Sequence, residues 1–286
     1  MRTYPECIPC QVSFALTTAK KATESEELVG KLVLEALGIV LAHGLDHPPP
    51  LVAREIGRRV RERTGVEDPY REDKRRHNRL ALELYPQLKE RVRGAPDPLR
   101  EALLLAAGGN VIDSIAMGEV DPSEVIPSLF EGEFALDHYG ALRDLLPRAR
   151  RLLLIGDNAG EIVMDRILVE ELLRLYPHLQ VSYAVRGGPI INDATMEDAL
   201  EVGMDRLCRL VSTGDDTPGV ILDLCSEAFV GDFTEADLVI AKGQGNFETL
   251  EGRGDPRVFF LLRAKCPTIG RHLGVQGGAL VLFTQG

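Results

Sequence analysis

Arg151-Leu152-Leu153-Leu154-Ile155-Gly156-Asp157-Asn158-Ala159-Gly160-Glu161 sets the architecture expected of the chain. A short apolar run ending in glycine reads as a strand buried on both faces, the kind found in parallel sheets. An amphipathic helix is predicted over 161–176. Further strands are predicted at 181–186, 206–211, 237–241, 258–262 and 279–283, with a helix over 193–202. Strands alternating with helices imply a mostly parallel sheet covered by helices on both faces. Upstream of Pro147 the texture changes. Helical periodicity runs over 26–43, 51–63, 71–93 and 98–117, and Gly44 with Pro48-Pro49-Pro50 stops the first of these. The expectation is an all-helical domain over 1–147 followed by a Rossmann-like α/β/α domain over 148–286.

The 286 residues carry 33 Lys plus Arg against 44 Asp plus Glu, a net charge of −11. With 44% hydrophobic residues the chain is ordinary globular material, not a disordered one. The acidic balance argues against nucleic acid as a partner, and the absence of Trp argues against a base-stacking platform. No apolar run reaches the ~18 residues of a membrane helix, and residues 1–10 lack the basic and apolar regions of a signal peptide. A cytoplasmic location is therefore expected; oligomeric state stays open. Five cysteines, at 7, 10, 208, 225 and 266, make a disulfide framework improbable. Cys7-Ile8-Pro9-Cys10 has no second pair to complete a zinc site and no preceding strand. It is read as two semi-buried, non-catalytic thiols at a helix start.

In an open parallel sheet, ligands bind outside the carboxyl ends of the strands. After the first strand, Asp157 and Asn158 offer adjacent oxygen donors suited to a hard cation. A helix cap accounts for one of the two and leaves the other, and the glycines, unexplained. After the second strand, Asp193 follows a glycine-rich loop. Alone it reads as a helix cap; beside Asp157 it reads as a second metal ligand, since neighbouring strands lie ~4.8 Å apart. Lys242-Gly243-Gln244-Gly245-Asn246 follows the fourth strand and reads as an anion cradle without P-loop order. Lys265 follows the fifth strand as a second cation. In the helical half, Gly108-Gly109-Asn110 through Asp113 marks close backbone approach, either to the site or in helix packing. On the first reading Asn110 binds substrate, and Asp113 orients a neighbour or sits near the ion. Lys74, His77 and Asn78 read as a solvated helix face.

Taken in order, the Cys-x-x-Cys at 7–10, Gly-Asn-x-x-Asp at 109–113, Gly-Asp-Asn-Ala-Gly-Glu at 156–161, Asn-Asp-Ala-Thr at 192–195 and Lys-Gly-Gln-Gly-Asn at 242–246 resemble the damage-control phosphatase family over nearly the whole chain. They are most similar to its archaeal and bacterial subfamily. The resemblance implies a metal-dependent phosphatase of small phosphorylated metabolites, with Mg²⁺, Mn²⁺, Co²⁺ or Ni²⁺ as candidate ions. It matches Asp157, Asn158 and Asp193 to metal ligands, with Asp157 and Asn158 at the catalytic centre. It matches Lys242, Gly243, Gln244, Asn246 and Lys265 to the segments holding the substrate phosphate. Arg263-Ala264-Lys265 is one residue shorter than the Arg-Thr-x-Lys of eukaryotic sugar-phosphate relatives, so that specificity does not carry over. Whether water or Asp157 attacks phosphorus stays open. Two other functions compete: an S-adenosylmethionine-dependent methyltransferase, disfavoured by the loops after the first two strands, and a non-enzymatic metal or nucleotide sensor.

Overall fold

The computed structural model describes residues 1–109 and 132–285. Helices α1 (Cys7–Ala22), α2 (Glu26–His43) and α3 (Pro49–Thr64) open the chain. The Ser25 hydroxyl accepts from the Leu28 amide at the start of α2, with Glu26 and Glu27 in the first turn, an arrangement that complements the helix dipole. Pro49 and Pro50 begin α3, where no amide donor is needed, and Gly65 ends it in the left-handed conformation. Then come α4 (Arg71–Arg93) and α5 (Pro98–Gly108).

The rest alternates: β1 (Phe134–Asp137), α6 (Tyr139–Leu145), β2 (Arg151–Ile155), α7 (Glu161–Leu175), β3 (Gln180–Val185), α8 (Met196–Glu201), β4 (Arg209–Ser212), α9 (Glu227–Glu235), β5 (Leu238–Lys242), α10 (Gly243–Leu250), β6 (Val258–Arg263), α11 (Pro267–Leu273) and β7 (Leu280–Thr284). The sheet order is β1-β7-β6-β5-β2-β3-β4, parallel at every pairing except β6 with β7. The α/β class and the mostly parallel sheet agree with the sequence. The stretch to residue 147 is not wholly helical, however, because β1 joins the sheet edge beside β7. Its four residues are too few to show a period of two.

Strand alternation sends Leu152, Leu154, Tyr183 and Ile240 to one face, under α4, α5 and α7. Leu153, Ile155, Ala184 and Val239 go to the other, under α9, α10 and α11. Helices α1 to α3 hold small apolar clusters of their own. Their link to the sheet is largely polar: Arg54, Arg58 and Arg61 of α3 reach Asp215 and Asp216 in the loop after β4. This bundle thus sits over the carboxyl ends of the strands. Among the described residues, no helix is long and apolar enough to cross a membrane.

Candidate active site

The loops after β2 and β3 are laced together. Ala159 N donates to Asn192 O and Ala194 N to Asp157 O, both at 2.8 Å, around an antiparallel bridge between Asn158 and Asp193. Neither Asp157 nor Asn158 caps α7, whose cap position is Gly160. Asp193 does not cap α8, because Thr195 and Asp198 form the capping box there. All three predicted ligands are buried and line one cavity. Ile191, also on its wall, has φ +45°, a strained conformation for a β-branched residue.

Buried charge surrounds them. Arg186, fully buried at the end of β3, donates through Nε to Asp193 at 2.6 Å and through Nη1 to Asn246 at 3.0 Å; its Nη2 lies 3.9 Å from Asp157. Asn158 Nδ2 donates to Asp157 at 3.0 Å and to Glu161 at 2.8 Å. Burial pushes the Glu161 carboxyl up to about 7, and repulsion from Asp157 adds to it. Burial also raises Asp193 to about 6, with Arg186 opposing and Asp157 reinforcing the rise.

The segment from Lys242 is a helix start. Gly243 has φ +79°, and a Cβ there would fall 2.0 Å from Asp157 Oδ2, so only glycine fits. Lys242 is buried and donates to Asp165 at 2.6 Å, with Glu161 at 3.9 Å; Tyr183 donates to the other Asp165 oxygen at 2.8 Å. Asn246 donates to the carbonyls of Gly156 and Lys242. Gln244, Gly245 and the exposed Lys265 line the cavity; Lys242, Gly243 and Asn246 lie behind its wall.

The cavity holds about 590 Å³. Its other wall comes from the helical bundle, through Gln11, Phe14, Pro49, Pro50 and Ala53, with Cys7 half-buried and Cys10 exposed beside them. Lys74, His77 and Asn78 are not solvated, as their charges suggested, but buried. Asn78 Oδ1 accepts from the Gly160 amide at 2.8 Å, and its Nδ2 donates to Asp198 and Glu201. Lys74 pairs with Asp68 and Asp198. A Cβ at Gly109 would meet Glu161 Cγ at 3.2 Å, the close approach expected of that glycine. Asn110 and Asp113 lie outside the described residues.

Among the described residues, no three His, Cys, Asp or Glu side chains converge to hold a metal. Two carboxylates and an amide are nevertheless a fitting donor set for a hard cation that takes its remaining ligands from water and substrate. The negative surplus around them suits a cation too.

The sequence model of the damage-control phosphatase ARMT1-like domain matches residues 3–281. The chain belongs to the damage-control phosphatase family. It is 34% identical to the damage-control phosphatase PH1575 of Pyrococcus horikoshii, covering 98% of this chain and 97% of that one. It is 33% identical to a damage-control phosphatase of Archaeoglobus fulgidus, covering 98% of each. The crystal structure of PH1575, described as a DUF89 family protein, superposes with a TM-score of 0.92 over the full length of both chains at 33% identity. In this damage-control phosphatase, sequence reasoning missed Arg186, Glu161 and Asp165. Arg186 closes the strand predicted at 181–186, and Glu161 closes the stretch quoted at the outset. Asp165 is four residues beyond Glu161 on the same helical face, a spacing that was available to read.

Proposed function

We propose that this damage-control phosphatase hydrolyses phosphomonoesters of small, damaged or side-product metabolites with a divalent ion held by Asp157, Asn158 and Asp193. The observation that carries the reading is the meeting of these three buried residues on the wall of one cavity that Lys265 also lines. A bound divalent ion supplies Lewis-acid polarisation of a phosphate oxygen. The protein's own part is to hold charge in place. Arg186 fixes the Asp193 carboxylate, and Asn158 Nδ2 fixes Asp157. Lys265 and the first-turn amides of α10, reached through Gln244 and Gly245, offset the charge of the phosphoryl oxygens. Lys242, neutralised by Asp165, is a positioning residue that sets the start of α10. Mg²⁺, Mn²⁺, Co²⁺ and Ni²⁺ are the ions to try.

The test is phosphate release from 4-nitrophenyl phosphate by the intact protein, before and after chelation. Chelation abolishes release and one of the four ions restores it. Full activity in protein shown by elemental analysis to be free of metal overturns the reading. Methyl transfer and non-enzymatic sensing release no phosphate, so the same assay separates them.

A further inference from the structure

Three of the five cysteines meet at the cavity. Cys7 and Cys10 come from the first turn of α1, and Cys266, next to Lys265, comes from the α/β side. All are free thiols, and the phosphatase reading uses none of them. Cys10 is exposed and Cys7 half-buried. Standing three residues apart at the start of one helix, they share a side of its first turn. Helix geometry sets their Cα atoms about 5 Å apart, inside the ~4.4–6.8 Å that a disulfide spans. The Cβ atoms of such a pair stand ~5–6 Å apart, whereas a disulfide brings them to about 4 Å. Closing the bridge therefore tightens the turn and moves the wall that it forms. Pro9, between the two, has no amide hydrogen bond for that movement to break.

We propose that Cys7 and Cys10 are an oxidation site: hydrogen peroxide converts them to a disulfide, and the displaced wall slows phosphate hydrolysis. The second half rests on the phosphatase reading; the first stands without it. The Cys10 thiol, which faces solvent, takes the oxidant. Its sulfur attacks one peroxide oxygen and the O–O bond breaks, giving a sulfenic acid and water. The Cys7 sulfur then attacks the Cys10 sulfur; the S–O bond breaks, and the hydroxide leaves with the Cys7 proton as a second water. Each sulfur is oxidised by one electron, and the peroxide is reduced to two waters. Burial raises the Cys7 thiol above its usual range, against a backbone hydrogen bond at Tyr4, and Glu248 and the other two thiols reinforce the rise. Cys7 thus keeps its proton until the sulfenic acid has formed beside it. Cys266 is engaged elsewhere, its Sγ accepting from Gln244 Nε2 at 3.8 Å.

The test treats the reduced full chain with hydrogen peroxide, removes the excess, and counts thiols in denaturant. The count falls from five to three, peptide mapping joins Cys7 to Cys10, and dithiothreitol restores all five. On the same samples, with the activating ion, release of phosphate from 4-nitrophenyl phosphate falls by about tenfold or more, since small displacements in a site are costly, and dithiothreitol restores it. Cys10→Ser and the double variant Cys7→Ser/Cys10→Ser, each compared with its own untreated rate, lose no activity to peroxide. Melting curves check folding, and Cys10→Ser, at an exposed position, serves if the double variant does not fold. Five thiols persisting, a bridge mapped to any other pair, an unchanged rate in the bridged protein, or a folded variant that peroxide slows as much as the native chain overturns the inference. No hydrolysis by the reduced protein overturns the phosphatase reading and the coupling with it, while the thiol count still decides whether the bridge forms.

Discussion

Two clusters of buried charge stand at the same edge of the sheet with opposite balances. After β4, Asp215 and Asp216 face three guanidinium groups, those of Arg54, Arg58 and Arg61. Burial alone would raise Asp216; Arg58 and Arg61 overcome it and hold the carboxyl below its usual range. After β2 and β3, Asp157, Glu161, Asp165 and Asp193 share two buried cations, Lys242 and Arg186, and the exposed Lys265 also acts on Glu161 and Asp193. There burial wins, and Glu161 and Asp193 are raised. The paired cluster is a clasp between the bundle and the sheet. The unbalanced one costs stability as it stands, and such clusters concentrate at functional sites. The divalent ion proposed above would offset the surplus.

Removing one charge from the unbalanced cluster tests that contrast most severely. Asp157→Asn is expected to lower phosphate release about a thousandfold, while raising the melting temperature of ion-free protein, because Glu161 and Asp193 lose a like-charged neighbour. Calorimetry and steady-state assays on one preparation check both; unchanged turnover breaks the contrast. The clasp is expected to behave the other way. Asp216→Ala leaves guanidinium groups uncompensated and lowers stability by about 2–3 kcal/mol, discounted because Arg58 is partly exposed. Urea unfolding measures it, and turnover below the transition stays near that of the native chain.

A smaller effect sharpens the boundary between the two regions. Burial raises the Glu248 carboxyl to about 7 from an ordinary value near 4.5, against the opposing pull of Gln244 and the N-terminal ammonium. Between those values the folded chain keeps a proton that the unfolded chain releases. The contribution of Glu248 to stability is therefore most favourable below pH 4.5, falls as pH rises toward 7, and stays reduced above it. Glu248→Gln is expected to gain at most about 3 kcal/mol above pH 7 and nothing below pH 4.5. Thermal melts at pH 4 and pH 8 check it, and equal gains at both pH values refute the assignment.

The strands 151–155, 258–262 and 279–283 were legible because apolar runs bounded by glycine or charge report burial directly. So was the principle that the loops after them collect at one edge, which brought Asp157, Asn158 and Asp193 onto one cavity. The partner of Lys242 was hidden for a physical reason. A lysine at a strand end looks the same whether it faces a ligand or a buried carboxylate, and its carboxylate, Asp165, lies 77 positions away in the chain.

By itself, then, the order of residues determined the alternation of strands and helices and the family to which the chain belongs, since both rest on local patterns and short motifs. Only the tertiary structure decided the partners of the charges. Lys74 and Asn78 look like solvent-facing residues on a polar helix, yet they pair with Asp198, more than a hundred residues downstream. Asn78 then holds the Gly160 amide at the edge of the site. Periodicity encodes which face of an element is apolar; it carries no record of which distant carboxylate or amide will meet a buried polar group. That pairing is settled by packing, and it separates the arginine-paired clasp from the carboxylate-rich cluster beside the cavity.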